Sequence, residues 1–577
     1  MTEVKGIAAS GGYAVSKAYV FRHDVQNVLH ETVSEDQVGN ELERLSDAFS
    51  SVKSYVSSLL SSSVGDSERE LYSVELLMLD DPEYRKMIES LVQNSFHTAE
   101  WAVESATKVF VDALGKLSDE YMRERSNDIK DIEHFLLESL QGKKRSEIRL
   151  ERDSILVADY ILTSEFMSII NPGYLKGVVI DTGGRTSHVA LLAKSKGIPA
   201  VVGCQMLSSD VSADDMIAVD GYKGVVVVNP SRKVSYEIMD LKIKESENEK
   251  KLSETMKGPS VTKDGKRILL KTNIEGLDGI GPTLSAHADG VGLFRTEFLV
   301  LENGFDPDDD KSQVYIDSAE KMAGVGDVTF RTLDVGGDKI FKDQPFEANQ
   351  FMGFRAIRVS LQCKDIFKKQ IKRILKASKW RNARIMFPLI SSEEELDEAL
   401  GVLEDAKEEL SRKNIPFDEK LPVGTMIGVP SAAIMIDRIS RKVDFVSVGT
   451  NDLVQYTLAV DRGNEKVGYL YRPMHPAVLR LLKMIVDGAH ESGRSVSICG
   501  EMAGDLKYLP LLVGLGFDEL SVSPPLVLSL RAYLRELDSR DCRTLSNEIL
   551  SIPGYTEIER RLKEIQDARR TGDKEQG

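Results

Sequence analysis

Between Thr182 and Gly203 the chain reads TGGRTSHVALLAKSKGIPAVVG. His188 stands where a glycine-rich turn gives way to a helical pattern. Gly183 and Gly184 allow close approach, and Thr186 or Ser187 can cap the helix that follows. That helix should stop at Gly197. A histidine in a first helical turn places an attached anion beside unpaired backbone N–H groups and the positive end of the helix dipole. Imidazole is a nucleophile at neutral pH, and no metal-ligand spacing surrounds it. The residues leave two readings: a structural or capping histidine, or a nucleophile that carries a phosphoryl group.

A second group of residues invites an anion. Arg295, Arg331 and Arg462 offer planar donor forks that match carboxylate and phosphate oxygens. The turn DVGGDK, Asp334 to Lys339, adds flexible backbone and a further cation. Asp452 is a hard-oxygen ligand suited to a divalent cation that also takes substrate phosphate oxygens. Cys499, late in an apolar run, reads either as a small buried hydrophobe or as a proton donor facing substrate.

These residues need a frame to bring them together. From about residue 262, apolar runs alternate with helical stretches: RILLKTNI, GVGLFRTEF, VTFRTLDV, ARIMFPLI, VGTMIGV, DFVSVGTND, SVSICGEM and DELSVSP. Eight βα units over about 280 residues suit a (β/α)8 barrel, with an open doubly wound sheet as the alternative. In a barrel, functional side chains gather at the C-terminal strand ends. Asn273, Arg295 with Glu297, Arg331 with Asp334, Asn451 with Asp452, and Cys499 with Glu501 all fall there.

Upstream, residues 35–143 carry heptad-like apolar spacing with one proline, Pro82, and read as a helical bundle, with a coiled coil as the alternative. Short β-rich runs flank it: GIAASGGYAVSKAYVF before, and SILVADYIL, GVVIDTGG, IPAVVG and MIAVDGYKGVVVV after. The chain is therefore expected to be multidomain α/β. Residues 1–20 and 145–230 form an α/β domain carrying His188, and 21–144 form an inserted helical domain. Residues 231–258 form a charged helical linker, and 259–577 the barrel.

Bulk properties narrow the class. The 577 residues are 41% hydrophobic and 29% charged, as in globular proteins. No run of about 18 apolar residues marks a membrane span, and the first residues, MTEVKGIAAS, lack a signal-peptide pattern. The net charge of -17 argues against general nucleic-acid binding. The four cysteines show neither disulfide nor metal spacing. A reducing, cytoplasmic location is expected.

Several of these stretches together resemble Enzyme I, the phosphoenolpyruvate-protein phosphotransferase family of the bacterial sugar phosphotransferase system. The resemblance lies in GGRTSHVALLAKSKGIPAVVG, GVGLFRTEFL, FRTLDVGGDK, FVSVGTNDLVQYTLAVDRGN and ICGEMAGD, in the family's order over nearly the whole chain. It implies that phosphoenolpyruvate binds in the barrel with Mg2+ and phosphorylates His188. The phosphoryl group then passes to a histidine of the carrier protein HPr, docked on the inserted helical domain. It further implies that Arg295 and Arg331 grip the phosphate, with Arg462 and Asn451 also touching substrate. Lys339 and Arg355 match further site positions, Cys499 matches the residue that protonates the enolate, and Thr163 matches a threonine that orients the histidine. The family dimerises through its barrels.

The chain departs from the pattern at one chemically important point. The family writes its fifth-strand motif Gly-x-Met-x-Glu-x-Pro, whereas this chain reads GTMIGVP from Gly424 to Pro430. Gly428 replaces a glutamate that ligates Mg2+ in the family, and Asp452 is the ligand retained. Gln350 and Ser164 also replace prolines. Two functions follow: a working phosphotransferase with a weakened metal site, or a catalytically impaired homologue that regulates by binding HPr.

Overall fold

The computed structural model describes the chain except residues 1, 23–27, 63–71, 73–74, 77, 116–119, 143–147, 162, 171–172, 183–187, 206, 298, 300–311, 337–351, 462–466 and 576–577. It divides into two compact units, Met1–Asn248 and Glu249–Gly577. The multidomain α/β architecture expected from the sequence is present, with one mixed sheet in the first unit and a closed parallel barrel in the second. Among the described residues no helix is long and apolar enough to cross a membrane.

The first unit is built on eight strands: β1 (Thr2–Lys5), β2 (Ile7–Ser10), β3 (Tyr13–Phe21), β4 (Ser154–Ala158), β5 (Leu175–Ile180), β6 (Ala200–Val202), β7 (Met216–Asp220) and β8 (Val225–Val228). Their order is β1-β8-β7-β3-β4-β5-β6-β2. The run β3-β4-β5-β6 is parallel, and the remaining pairings are antiparallel. The first and last strands of that order are separated in the chain by Gly6 alone, so the sheet must curl until its edges meet. Gly6 is needed at this seam, because a Cβ there would lie 2.6 Å from the Val202 carbonyl oxygen and 2.9 Å from Cys204 Sγ.

Between β3 and β4 the chain forms the helices Val38–Ser62, Pro82–Ser95, Ala99–Gly115 and Glu120–Leu140. Their apolar faces close a core of their own, including Phe49, Val52, Ile88, Val103, Ile132 and Leu136. Asp81 caps the second of them by accepting from Glu83 N at 2.8 Å, and Pro82 occupies its first turn, where no backbone donor is needed. The helix His188–Ser195 lies between β5 and β6 and stops before Gly197, whose φ is +66°. A charged helix, Arg232–Thr255, follows β8.

The second unit holds β9 (Leu269–Ile274), β10 (Gly290–Arg295), β11 (Asp327–Arg331), β12 (Ala383–Phe387), β13 (Val423–Ile427), β14 (Phe445–Val448), β15 (Ser495–Ile498) and β16 (Glu519–Val522). All are parallel, and β16 closes on β9. Each corresponds to one of the eight apolar runs read from the sequence, and the open-sheet alternative is excluded by the closure. Inside, Leu293, Met386, Met426, Phe445 and Cys499 pack together. A larger apolar shell joins strands to surrounding helices.

The N-terminal ends of the barrel strands carry a buried ionic network. Lys271, 1% exposed, reaches Asp327 at 2.8 Å and Glu519 at 2.7 Å. Arg384 reaches the same two carboxylates at 2.9 and 3.4 Å and lies 3.6 Å over the Phe445 ring. Two cations thus neutralise two carboxylates where water is scarce. Breaking such a set strands a charge. Lys271→Met should destabilise the barrel unit by about 3 kcal/mol, seen as a lower urea midpoint for its unfolding. An unchanged midpoint would mean that Arg384 neutralises both carboxylates unaided.

Candidate active site

The opposite rim collects the residues singled out by sequence. Arg295 and Arg331 are the last residues of β10 and β11, and they are register partners across the two strands. Strand alternation and parallel pairing therefore put two guanidiniums side by side at the C-terminal mouth. Arg331 is 9% exposed. Its Nη2 donates to Glu297 Oε1, and its Nη1 pairs with Asp334 Oδ2 at 2.9 Å. Asp334 Oδ1 accepts from Arg355 Nη2 at 2.7 Å. Arg295 is more open, pairing through Nη1 with Glu275 Oε1 at 2.9 Å.

Burial and pairing compete in this cluster. Burial raises the Glu297 carboxyl above its ordinary range, although Arg331 pulls against it. Burial would raise Asp334 as well, but Arg355 and Arg331 outweigh it and hold that carboxyl below its ordinary range. Arg331 stays charged: burial works against its cationic form, and Glu297 and Asp334 override that effect. Its Nε is buried and has no hydrogen-bond partner among the described residues. A buried, unpaired N–H on a charged group is costly.

Asn451 and Asp452 lie in the first turn of the helix Thr450–Leu458, directly after β14. The Asn451 amide exchanges hydrogen bonds with Glu501, donating to Oε1 at 3.2 Å and accepting from the backbone N at 3.2 Å. A Cβ on Gly428 would lie 3.1 Å from Asp452 Cβ and 3.6 Å from its Oδ2. Position 428 and the Asp452 carboxylate therefore share one space. Among the described residues no three His, Cys, Asp or Glu side chains form a ready-made metal cage. Mg2+ commonly uses one or two carboxylates with substrate oxygens and waters, and Asp452 is a rim carboxylate of that kind.

Cys499 follows β15 and is 5% exposed. Ser447 Oγ donates toward its sulfur at 3.4 Å, and the thiol points to the Val448 carbonyl oxygen at 3.5 Å. Burial raises its pKa; Ser447, Arg331 and Arg295 pull the other way but do not prevail. The group is thus a neutral thiol at pH 7, the form that can give up a proton.

The structure thus gathers Arg295, Arg331, Arg355, Asn451, Asp452 and Cys499 at one end of one barrel. Asn273, also a rim residue by sequence, is engaged in bracing: its amide donates to the Cys499 and Ser521 carbonyl oxygens at 3.2 and 3.1 Å. Lys339 and Arg462 lie outside the described residues. His188 and Thr163 each open a helix of the first unit, His188–Ser195 and Thr163–Ile170, and their side chains lie outside what is described. Sequence reasoning missed Glu275, Ser447 and Tyr456, whose phenol hydrogen-bonds Arg355. For Tyr456 a signal existed, since it follows Asp452 by four residues on one helix face. For the others no local spacing pointed to their partners.

A paired-arginine rim on a parallel barrel, set in a chain with a separate α/β unit, defines a multidomain barrel enzyme that handles an anion. Comparison with known proteins narrows the class. Residues 249–539 match the family model described as PEP-utilising enzyme, PEP-binding domain. Residues 5–125 match that of the PEP-utilising enzyme N-terminal domain, and 150–224 that of the mobile domain. A phosphoenolpyruvate-protein phosphotransferase of Geobacillus stearothermophilus is 36% identical over 561 residues, covering 96% of each chain. One from Listeria monocytogenes is 36% identical over 559 residues, covering 95% of this chain and 96% of its own. That of Bacillus subtilis is 34% identical over 570 residues, covering 98% and 100%. The chain belongs to the PEP-utilising enzymes and, within them, to the phosphoenolpyruvate-protein phosphotransferase family. The resemblance drawn from the motifs is borne out.

The thiol chemistry gives a direct check. Cys204, Cys499 and Cys542 are buried and only Cys363 is partly exposed, so iodoacetamide on the native protein at pH 7 should label Cys363 first. Peptide mapping that found Cys499 labelled as fast would contradict a buried, neutral thiol.

Proposed function

We propose that this chain takes the phosphoryl group of phosphoenolpyruvate onto His188 and passes it to a histidine of the carrier protein HPr, releasing pyruvate. The observation that carries this reading is the arginine pair at the ends of β10 and β11, register partners at one mouth of the barrel. A phosphate with a neighbouring carboxylate is the kind of anion such a pair accepts.

On this reading Arg295 and Arg331 hold the phosphate, and Arg355, Lys339, Asn451 and Arg462 complete the substrate contacts. An imidazole nitrogen of His188 attacks phosphorus, the bond to the bridging oxygen breaks, and the enolate of pyruvate leaves. Cys499 supplies the proton that the enolate methylene carbon needs to become pyruvate. The chemistry requires little covalent help from the protein, because the enolate becomes a stable ketone; positioning and charge neutralisation carry the rate. Asp452 is the residue that would hold Mg2+, which when bound neutralises substrate oxygens. The helix begins at His188, and the positive end of a helix suits a phosphorylated residue; by the family resemblance Thr163 orients the imidazole.

The inserted helical domain, 21–144, is the docking surface for HPr, and the segment 231–258 is the hinge that lets His188 serve both barrel and carrier. The barrel is the dimerisation domain. The four cysteines are free thiols, in keeping with a cytoplasmic location. The alternative of an impaired, purely regulatory homologue rests on Gly428 alone, and the relatives that this chain matches along nearly its whole length give it no support.

Two experiments test this reading. His188→Ala should abolish labelling by phosphoenolpyruvate carrying radioactive phosphorus while leaving the circular dichroism spectrum unchanged. Acid-labile phosphate persisting on that variant would refute the assignment. The second concerns the metal. A charged interaction worth about 1.5–3 kcal/mol corresponds to roughly tenfold or more in affinity. Gly428→Glu should therefore lower the Mg2+ concentration for half-maximal autophosphorylation by about that factor. Gly428→Ala, which adds only the close contact with Asp452, is the control. Equal midpoints for the glutamate variant and the parent chain would show that the metal site does not depend on position 428.

A further inference from the structure

We infer that Asp334 is a positioning residue for the phosphoryl-donor site, holding Arg331 and Arg355 at a fixed separation so that both face one substrate. This deepens the reading above and rests on it.

Asp334 follows Arg331 by three residues, and its side chain is 5% exposed. Its two oxygens are divided: Oδ2 takes Arg331 Nη1 at 2.9 Å, and Oδ1 takes Arg355 Nη2 at 2.7 Å. Two guanidiniums brought to one buried point repel each other unless an anion lies between them. Asp334 is that anion. Charge neutrality of Arg331 alone does not require it, because Glu297 already pairs with Nη2 of the same guanidinium. What Asp334 adds is a second anchor on Arg331 and the link to Arg355.

Two anchors on a planar group fix its orientation. With Nη1 held by Asp334 and Nη2 by Glu297, the Arg331 guanidinium cannot rotate, and its Nε edge stays unpaired among the described residues. The backbone is fixed on both sides of the clamp. Gly336 pairs with Arg355 in a β-bridge, and Ala356 N donates to the Val335 carbonyl oxygen at 2.9 Å. On the other side, Leu333 N donates to Gln370 Oε1 at 3.1 Å, and Gln370 Nε2 donates to Thr296 Oγ1 at 2.8 Å. Thr296 Oγ1 in turn donates to the Arg331 carbonyl oxygen at 2.6 Å. Donors held in place before the substrate arrives need no reorganisation when it binds.

The test is steady-state kinetics with phosphoenolpyruvate on the full chain. Asp334→Asn keeps the shape and removes the charge. It should raise KM for phosphoenolpyruvate at least tenfold, with a smaller fall in kcat, because the loss falls on substrate grip. Asp334→Glu keeps the charge but shifts its position, and should give an intermediate KM. A KM unchanged in Asp334→Asn, whatever happens to its urea midpoint, would make the residue merely structural and overturn the inference. If Asp334→Asn does not fold, Asp334→Glu decides, and a parental KM there overturns it equally. The parent chain run alongside separates the two levels: no turnover of phosphoenolpyruvate by the parent refutes the proposed function itself.

Discussion

A guanidinium buried as deeply as Arg331 must be paired, and that requirement organises the functional end of the barrel. The residue is 9% exposed and ends a strand whose last four residues are all buried. Removing a charge from water costs several kcal/mol unless opposite charge and hydrogen bonds replace the solvent. Glu297, from the segment after β10, and Asp334, from the loop after β11, supply that replacement. Asp334 then draws Arg355 to the same point. One pairing requirement thus brings together residues from three places in the chain.

The barrel carries a second buried ionic set at its other end, and the contrast between the two is informative. Lys271, Asp327, Arg384 and Glu519 balance two against two. At the C-terminal rim Arg331 keeps a buried Nε without a partner among the described residues. Complete pairing at the base and incomplete pairing at the rim fit the division in such barrels between a stability face and a reactive face.

Much of this was readable in the sequence, for a physical reason. Parallel strands covered on both faces are short apolar runs, so GVGLFR and FVSV announced themselves, and polar residues directly after them were rim residues by default. The helix beginning at His188 was readable from its glycines and its stop at Gly197. Charge partners were not readable. Lys271 looked like one polar position in RILLKTNI, and nothing local tied it to Glu519, far along the chain. The use of Asn273 as a brace between β15 and β16 depends on barrel closure. The order of the first sheet was hidden too, since β1 and β2 lie at opposite ends of it although only Gly6 separates them.

The proposed reaction passes through a covalent phosphoryl intermediate, formed when the barrel splits phosphoenolpyruvate into phosphoryl group and pyruvate. Isotope exchange reports on that intermediate. The chain, incubated with Mg2+, phosphoenolpyruvate and carbon-labelled pyruvate and with no protein acceptor present, should move label from pyruvate into phosphoenolpyruvate. That exchange requires a reversible first half-reaction with the phosphoryl group held on the enzyme. Exchange that appears only when HPr is added would mean direct transfer in a ternary complex, and would contradict the claim.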